Sequence, residues 1–349
     1  MKYQTITIEN FRGISKLEIT DLKRINLLVG KNNCGKTSVL EAGLLLAGMT
    51  NPQFTVGIHT NRNLFLGNNE DFCFMFKNLD FSFPILLKSS IDSIERRLII
   101  TPSYESSQTR NNDNEIVSPS VSLSATSNIR NVGGINLDFE LPNGEKYHSE
   151  CHLAEGKITT KPLTPTGFID KLKCQYFNPA SQTIVIDKQL EYFIVQKKLP
   201  SLISVLKGIE PTIQHIIMGT SNMVHVDTGA KRYFPINIMG DGFRKILTLL
   251  VSLASLRDGI LLVDEIENGL HYSSVLIAWK AIIAACKEYN VQLIATTHSY
   301  ECVKALSKTC DTLEPSNDDI RLIRIDRDGE KHGPVTYDAK ILKKPLKKD

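Results

Sequence analysis

Residues 25–41 read Ile-Asn-Leu-Leu-Val-Gly-Lys-Asn-Asn-Cys-Gly-Lys-Thr-Ser-Val-Leu-Glu, and no other stretch restricts the fold as much. The apolar run Ile25–Val29 predicts a short buried strand. The apolar-periodic run Val39–Leu46 predicts a helix. Between them, Gly30-x-x-x-x-Gly35-Lys36-Thr37 matches the phosphate-binding P-loop pattern in the strand–loop–helix context that gives it meaning. Gly30 and Gly35 permit a tight turn. The backbone N–H groups of Lys31, Asn32, Asn33, Cys34 and Ser38 can then point at phosphate oxygens, and the helix beginning near Lys36 adds its positive end. Lys36 is expected in a solvated loop, within reach of β- and γ-phosphates, and Thr37 offers a hydroxyl to Mg²⁺. A chance glycine-rich turn before a helix is the rival reading, and it leaves the agreement of loop and flanks unexplained.

Composition narrows the class. The chain has 349 residues, 42% hydrophobic, with a formal net charge of +3. That suits a globular protein with a sizeable core, and it makes any DNA contact a local patch rather than a bulk effect. The seven cysteines are scattered, without a C-x-x-C pair, which points to free thiols and a cytoplasmic setting. No stretch approaches ~18 consecutive apolar residues, so no membrane span is expected. The opening MKYQTITIEN lacks the apolar core of a signal peptide.

Residues 3–9 alternate polar and apolar and predict a half-buried strand, with a second at 17–20. The two are expected to form an antiparallel edge beside the P-loop strand. From 51 to 179 the pattern becomes β-like, with short runs at 71–76, 79–83, 97–101 and 135–141 and a hairpin signal at Asn143-Gly144. Residues 105–131, rich in Ser, Asn and Thr, read as an exposed mobile loop. Residues 187–207 predict a helix broken at Pro200. Strands are expected at 213–218, 223–227 and 233–238, and a strongly apolar helix at 242–257. Residues 1–50 and 180–349 therefore read as one core carrying a β-rich insertion at 51–179.

Three further motifs carry chemistry. Gly259-Ile-Leu-Leu-Val-Asp-Glu265 predicts a buried parallel strand with two acids at its C-terminal end, where open α/β sheets bind ligands. Asp264 can hold Mg²⁺ and Glu265 can deprotonate an attacking water; the bland reading is a solvated strand end. Val291–Ser299 is another apolar strand, with His298 placed to donate to a γ-phosphate or merely to cap a loop. Met239-Gly-Asp-Gly-Phe-Arg-Lys245 opens the apolar helix, either as an anion-binding turn or with Asp241 as a simple N-cap.

The order of these motifs resembles ATP-binding-cassette (ABC) ATPase heads, and more narrowly the branch containing RecF, SMC proteins and the ATPase domains of OLD-family nucleases. The resemblance rests on Glu9–Ile14, Ile25–Glu41, Gly240–Arg244, Leu262–His271 and Ala295–Ser299, and leaves the insertion uncovered. It implies an α/β fold: a P-loop head with a mixed sheet, an antiparallel β edge and a β-rich insertion. It also implies ATP and Mg²⁺, and a head-to-tail homodimer sandwiching two nucleotides. Gly240, Asp241, Gly242 and Arg244 would then form the signature facing the other protomer's γ-phosphate. Asn268–His271 would be the D-loop, Arg12 would reach the phosphates, and Gln175 would stand in the Q-loop. The catalytic set is Glu265, Lys36 and His298, with Thr37 and Asp264 on the metal.

Two departures stand out: Gly240 replaces the usual signature serine, and Cys34 the usual small loop residue. The stretch between Lys36 and Asp264 is too short for a long coiled-coil arm, and the stretch after Asp264 too short for a Toprim nuclease domain. The expected function is an ATP-driven switch or clamp, in anti-phage defence beside a separate nuclease or toxin partner. A RecF-like clamp that binds DNA directly and a nucleotide-gated scaffold with little hydrolysis are the alternatives.

Overall fold

A computed structural model describes residues 2–49, 51–104, 131–140, 144–154, 157–163, 172–179, 187–219, 223–311 and 318–342. The sequence stretch 105–131 lies almost wholly outside these residues.

The strands are β1 (Tyr3–Phe11), β2 (Ile14–Ile19), β3 (Ile25–Val29), β4 (Ile85–Ile91), β5 (Ile94–Tyr104), β6 (Val132–Glu140), β7 (Lys146–Ala154), β8 (Lys157–Leu163), β9 (Cys174–Phe177), β10 (His215–Met218), β11 (Val224–Asp227), β12 (Phe234–Pro235), β13 (Ile260–Val263), β14 (Gln292–Thr296), β15 (Ile320–Asp328) and β16 (Lys331–Asp338). The helices are α1 (Lys36–Ala47), α2 (Gln53–Thr60), α3 (Asp187–Val195), α4 (Leu199–Lys207), α5 (Asp241–Ser255), α6 (Tyr272–Glu288), α7 (Tyr300–Asp311) and α8 (Ala339–Leu342).

Two large sheets result. One is antiparallel and seven-stranded, in the order β2-β1-β4-β5-β6-β7-β8; the other is six-stranded, in the order β16-β15-β3-β14-β13-β9. In the second, β15, β3, β14, β13 and β9 run parallel and only β16 is antiparallel. Helix α1 lies between the sheets, which explains its composition. Eleven of its twelve residues are buried, so it must be apolar nearly all round. Tyr3 of β1 donates to the Gly43 carbonyl of α1 (2.7 Å), fixing one sheet to the helix. Alternation along β13 serves both sides of the parallel sheet. Leu262 joins the core around α1, while Leu261 and Val263 join the core against α3–α7.

Several expectations change. The β1–β2 hairpin does not flank β3. Both edges of β3 are taken by parallel strands β14 and β15, and β1 instead pairs with β4. Strands β4–β8 of the 51–179 segment thus continue the sheet that the N-terminal hairpin starts, over a shared core, whereas β9 joins the parallel sheet beside β13. Residues 69–75 and 77–79 form 3₁₀ turns, not strands; the first is capped by Asn68, whose side chain accepts from the Glu70 N–H. The 187–207 stretch is divided into α3 and α4 at residues 196–198, just ahead of Pro200, which sits in the first turn of α4, where its missing N–H costs nothing. The 233–238 stretch is a two-residue strand followed by a 3₁₀ turn. The Asn143-Gly144 hairpin joins β6 to β7 in antiparallel register, although Asn143 itself lies outside the described residues. The seven cysteines form no disulfide. Among the described residues no helix is long and apolar enough to cross a membrane.

Candidate functional site

The C-terminal ends of β3, β13 and β14 converge on an open cleft of ≈ 830 Å³. The P-loop follows β3. Gly30 (φ 143°), Asn33 (φ 61°) and Gly35 (φ 96°) take left-handed backbone conformations. A Cβ on Gly30 would stand 2.5 Å from the Ile325 carbonyl oxygen, so only glycine fits. Lys36 is buried, not solvated. Its ammonium curls back to donate to the carbonyls of Gly30 (2.9 Å) and Lys31 (3.0 Å), because a desolvated cation must find acceptors. Asn32, Asn33, Gly35, Lys36, Thr37 and Ser38 all line the cleft, whereas Cys34 is buried beneath it.

Asp264 joins the strands. Its Oδ2 accepts from Thr37 Oγ1 (2.9 Å) and its Oδ1 from Thr296 Oγ1 (2.5 Å). Thr296 also accepts the Glu265 N–H (2.8 Å), and Lys245 Nζ donates to the Glu265 carbonyl (2.6 Å). Glu265 is thereby held at φ 48°, a left-handed conformation that costs a non-glycine residue roughly 1 kcal/mol or more, with its carboxylate on the cleft. His298 lies opposite, Nε2 3.9 Å from Glu265 Oε1. The His298 N–H donates to Glu267 (2.9 Å). Burial pushes the Lys245 ammonium down to about 8.

Not every expected residue reaches the cleft in the expected way. Arg12 lines it, but its guanidinium is ion-paired with buried Glu41 (2.7 Å) and donates to the Phe74 and Ile58 carbonyls. It is part of the wall rather than a free phosphate ligand. Arg62 grips the same carboxylate (2.6 and 3.0 Å). Gln175 lies inside β9, in register with Leu261, not in a loop after the strand. Gly240, Asp241, Gly242 and Arg244 stand outside the P-loop cleft. Arg244 ion-pairs with Asp241, and the turn packs on the 268–271 segment: a Cβ on Gly242 would come 2.8 Å from the Gly269 carbonyl oxygen, while Gly240 faces open space.

Residues missed in sequence include Lys245, Thr296, Glu41, Arg62, Arg327 and His332. Glu41 left a signal, an acid inside an apolar helix. Lys245 and Thr296 lie within named motifs, which gave them no role of their own. Arg327 and His332 left none, since only the β15–β16 register brings them to the cleft.

Comparison with known proteins agrees with this geometry. The profile of a family described as “AAA ATPase domain” matches residues 1–131. A second, described as “AAA domain, putative AbiEii toxin, Type IV TA system”, matches residues 161–303. An “ATP/GTP phosphatase” of Helicobacter pylori (strain ATCC 700392 / 26695) is 25% identical over 331 residues, 87% of each chain. An uncharacterised protein of Methanocaldococcus jannaschii is 36% identical over 94 residues, 26% of this chain and 78% of that one. A solved SMC head bound to the C-winged helix domain of ScpA superposes with a TM-score of 0.52 at 13% identity, covering 97% of this chain and 98% of that one. Fold and site together define an ABC-type P-loop ATPase head. Over both matched segments the chain is similar to AAA-family ATPases, and its fold is that of the SMC head.

Proposed function

We propose that the chain binds Mg-ATP in this cleft and hydrolyses it at composite sites formed by two copies arranged head to tail. The observation that carries the reading is the Thr37–Asp264–Thr296 bridge. It sets Glu265, at the next position, against the P-loop.

The donors suit Mg²⁺. A hydroxyl and a carboxylate, both hard oxygens, meet at the mouth of the loop. Among the described residues no three His, Cys, Asp or Glu side chains cluster, so the protein would hold the ion through Thr37 and Asp264, with substrate phosphates completing the shell. Held by Thr37 and Asp264, such an ion would supply neutralisation of phosphate charge. Lys36 exchanges its two carbonyl acceptors for phosphate oxygens. Glu265 takes a proton from the attacking water, and His298 donates toward the γ-phosphate.

The signature turn supports action in trans. It lies outside its own P-loop cleft, beside exposed Ile238 and Tyr272. ATP engagement of two heads would then switch a separate effector protein, a nuclease or toxin, in anti-phage defence. Support for that step is the toxin–antitoxin description of the matching family and the ScpA-bound state of the SMC relative. The test is Glu265→Gln. It should bind ATP, turn over at least ~10²-fold more slowly and accumulate as an ATP-dependent dimer on size-exclusion chromatography. Wild-type turnover would place the base elsewhere.

A further inference from the structure

We propose that Arg327 and His332, on the β15–β16 hairpin, form the nucleoside-binding end of the cleft. This rests on the nucleotide reading above and names residues that no motif assigns.

Strand order supplies the direction. In the sequence β15-β3-β14-β13, the groups that would meet the terminal phosphate, Glu265 and His298, follow β13 and β14. They lie on one side of the P-loop. A triphosphate with its γ-phosphate toward Glu265 and its β-phosphate at Lys36 must send its nucleoside out on the other side, toward β15.

β15 is built to meet it. Its pairing with β3 ends at Arg324↔Val29, yet the strand runs on to Asp328, paired with β16 and alongside the P-loop rather than β3. The Ile325 carbonyl sits against Gly30. Arg327 then donates from Nη1 to the Asn33 carbonyl and from Nε to the Gly329 carbonyl, each at 2.9 Å. These bonds fix the guanidinium beside the loop and leave its other N–H groups for a ligand. Arg327 and His332 are directly opposed across the hairpin, so their side chains share one face, and both line the cleft.

The chemistry fits a nucleoside. The described cleft wall holds no Phe, Tyr or Trp, so the planar groups at this end are a guanidinium and an imidazole. A guanidinium stacks on aromatic faces and donates to ribose or base acceptors. Burial lowers the His332 pKa, which favours the neutral ring, one donor and one acceptor, over a second cation.

Inorganic tripolyphosphate separates this site from the phosphate site, because it keeps the three phosphates and lacks the nucleoside. Calorimetric titration of the full chain with ATP and with tripolyphosphate, each with Mg²⁺, should show tighter binding of ATP. Arg327→Ala should weaken ATP by roughly tenfold while tripolyphosphate changes less than about twofold. His332→Ala, which leaves the bond to Asn33 intact, should show the same selectivity at smaller size. Parallel loss of both ligands in both variants would mean that the hairpin merely braces the P-loop, and unchanged ATP affinity would mean that the nucleoside lies elsewhere; either overturns the proposal. Wild-type protein binding the two ligands equally overturns it as well. Wild-type protein binding neither overturns the P-loop reading itself.

Discussion

Lys245, the fifth residue of the signature helix, donates from Nζ to the backbone carbonyl of Glu265 at 2.6 Å. One end of the Glu265 peptide is thus held by α5 and the other by Thr296 of β14. Lys245→Met keeps the aliphatic stem and removes the donor, freeing a left-handed backbone to relax. Turnover should fall roughly tenfold or more with KM for ATP little changed, because the loss falls on orientation of the base rather than on binding. Lys245→Arg should restore part of it. A rise in KM with kcat preserved would remove the link between signature helix and base.

Lys36→Ala should abolish ATP binding while the chain stays folded. Its two native acceptors are loop carbonyls, which water can reach once the long side chain is gone. Titration calorimetry and a melting curve check both halves. ATP affinity within a few-fold of wild type would sink the P-loop assignment.

Action in trans is best tested at Gly240. Gly242→Val would push the chain's own Gly269 carbonyl aside, confusing an internal clash with a lost contact. Gly240 faces open space at φ −57°, so Gly240→Val disturbs only what comes from outside. Alone it should bind ATP and hydrolyse little. Mixed with Lys36→Ala, it should recover turnover, since the heterodimer holds one complete site. No recovery on mixing would argue against the composite site.

The carboxylate of Glu41 is fully buried between Arg12 and Arg62. Glu41→Gln would leave two guanidinium groups sharing a site without their counter-charge. Breaking a buried pair in this way typically costs ~3–5 kcal/mol. Arg62 is about one-third exposed, so the lower end, about 3 kcal/mol, is expected from chemical denaturation. A loss under about 1 kcal/mol would show that water already screens the cluster.

His59 is buried, with Nδ1 donating to the Thr55 carbonyl (2.7 Å), and burial depresses its pKa from 6.5 to about 4. Nearby Arg12 and Arg62 push in the same direction. The unfolded chain therefore takes up a proton near pH 6.5 that the folded chain refuses until about pH 4. Stability is full above pH 6.5 and should fall as the pH drops through that window, by on the order of 3 kcal/mol. His59→Phe should flatten this part of the profile, as read from denaturation midpoints between pH 4 and 7. An unchanged slope would assign it to other groups.

Contiguous residues were enough to mark the P-loop, the Asp264-Glu265 strand end and the His298 strand end, because each motif combines a local backbone demand with a local chemical one. Glycines at 30 and 35, a lysine and a threonine after them, and acids closing an apolar run all act within a few residues of each other. The hairpin at Gly144 was legible for the same reason. Tertiary structure decided which strands share a sheet. β1–β2 read as an edge beside β3, yet β15–β16 takes that place, because partner choice depends on which apolar faces cover α1 and α3–α7. Lys36 bends back onto its own loop, Arg12 is bound to Glu41, and Lys245 holds Glu265, since buried charges seek partners that can lie anywhere along the chain. Arg327 and His332 arrive beside the P-loop through strand register alone, and register is a property of paired strands that neither strand states by itself.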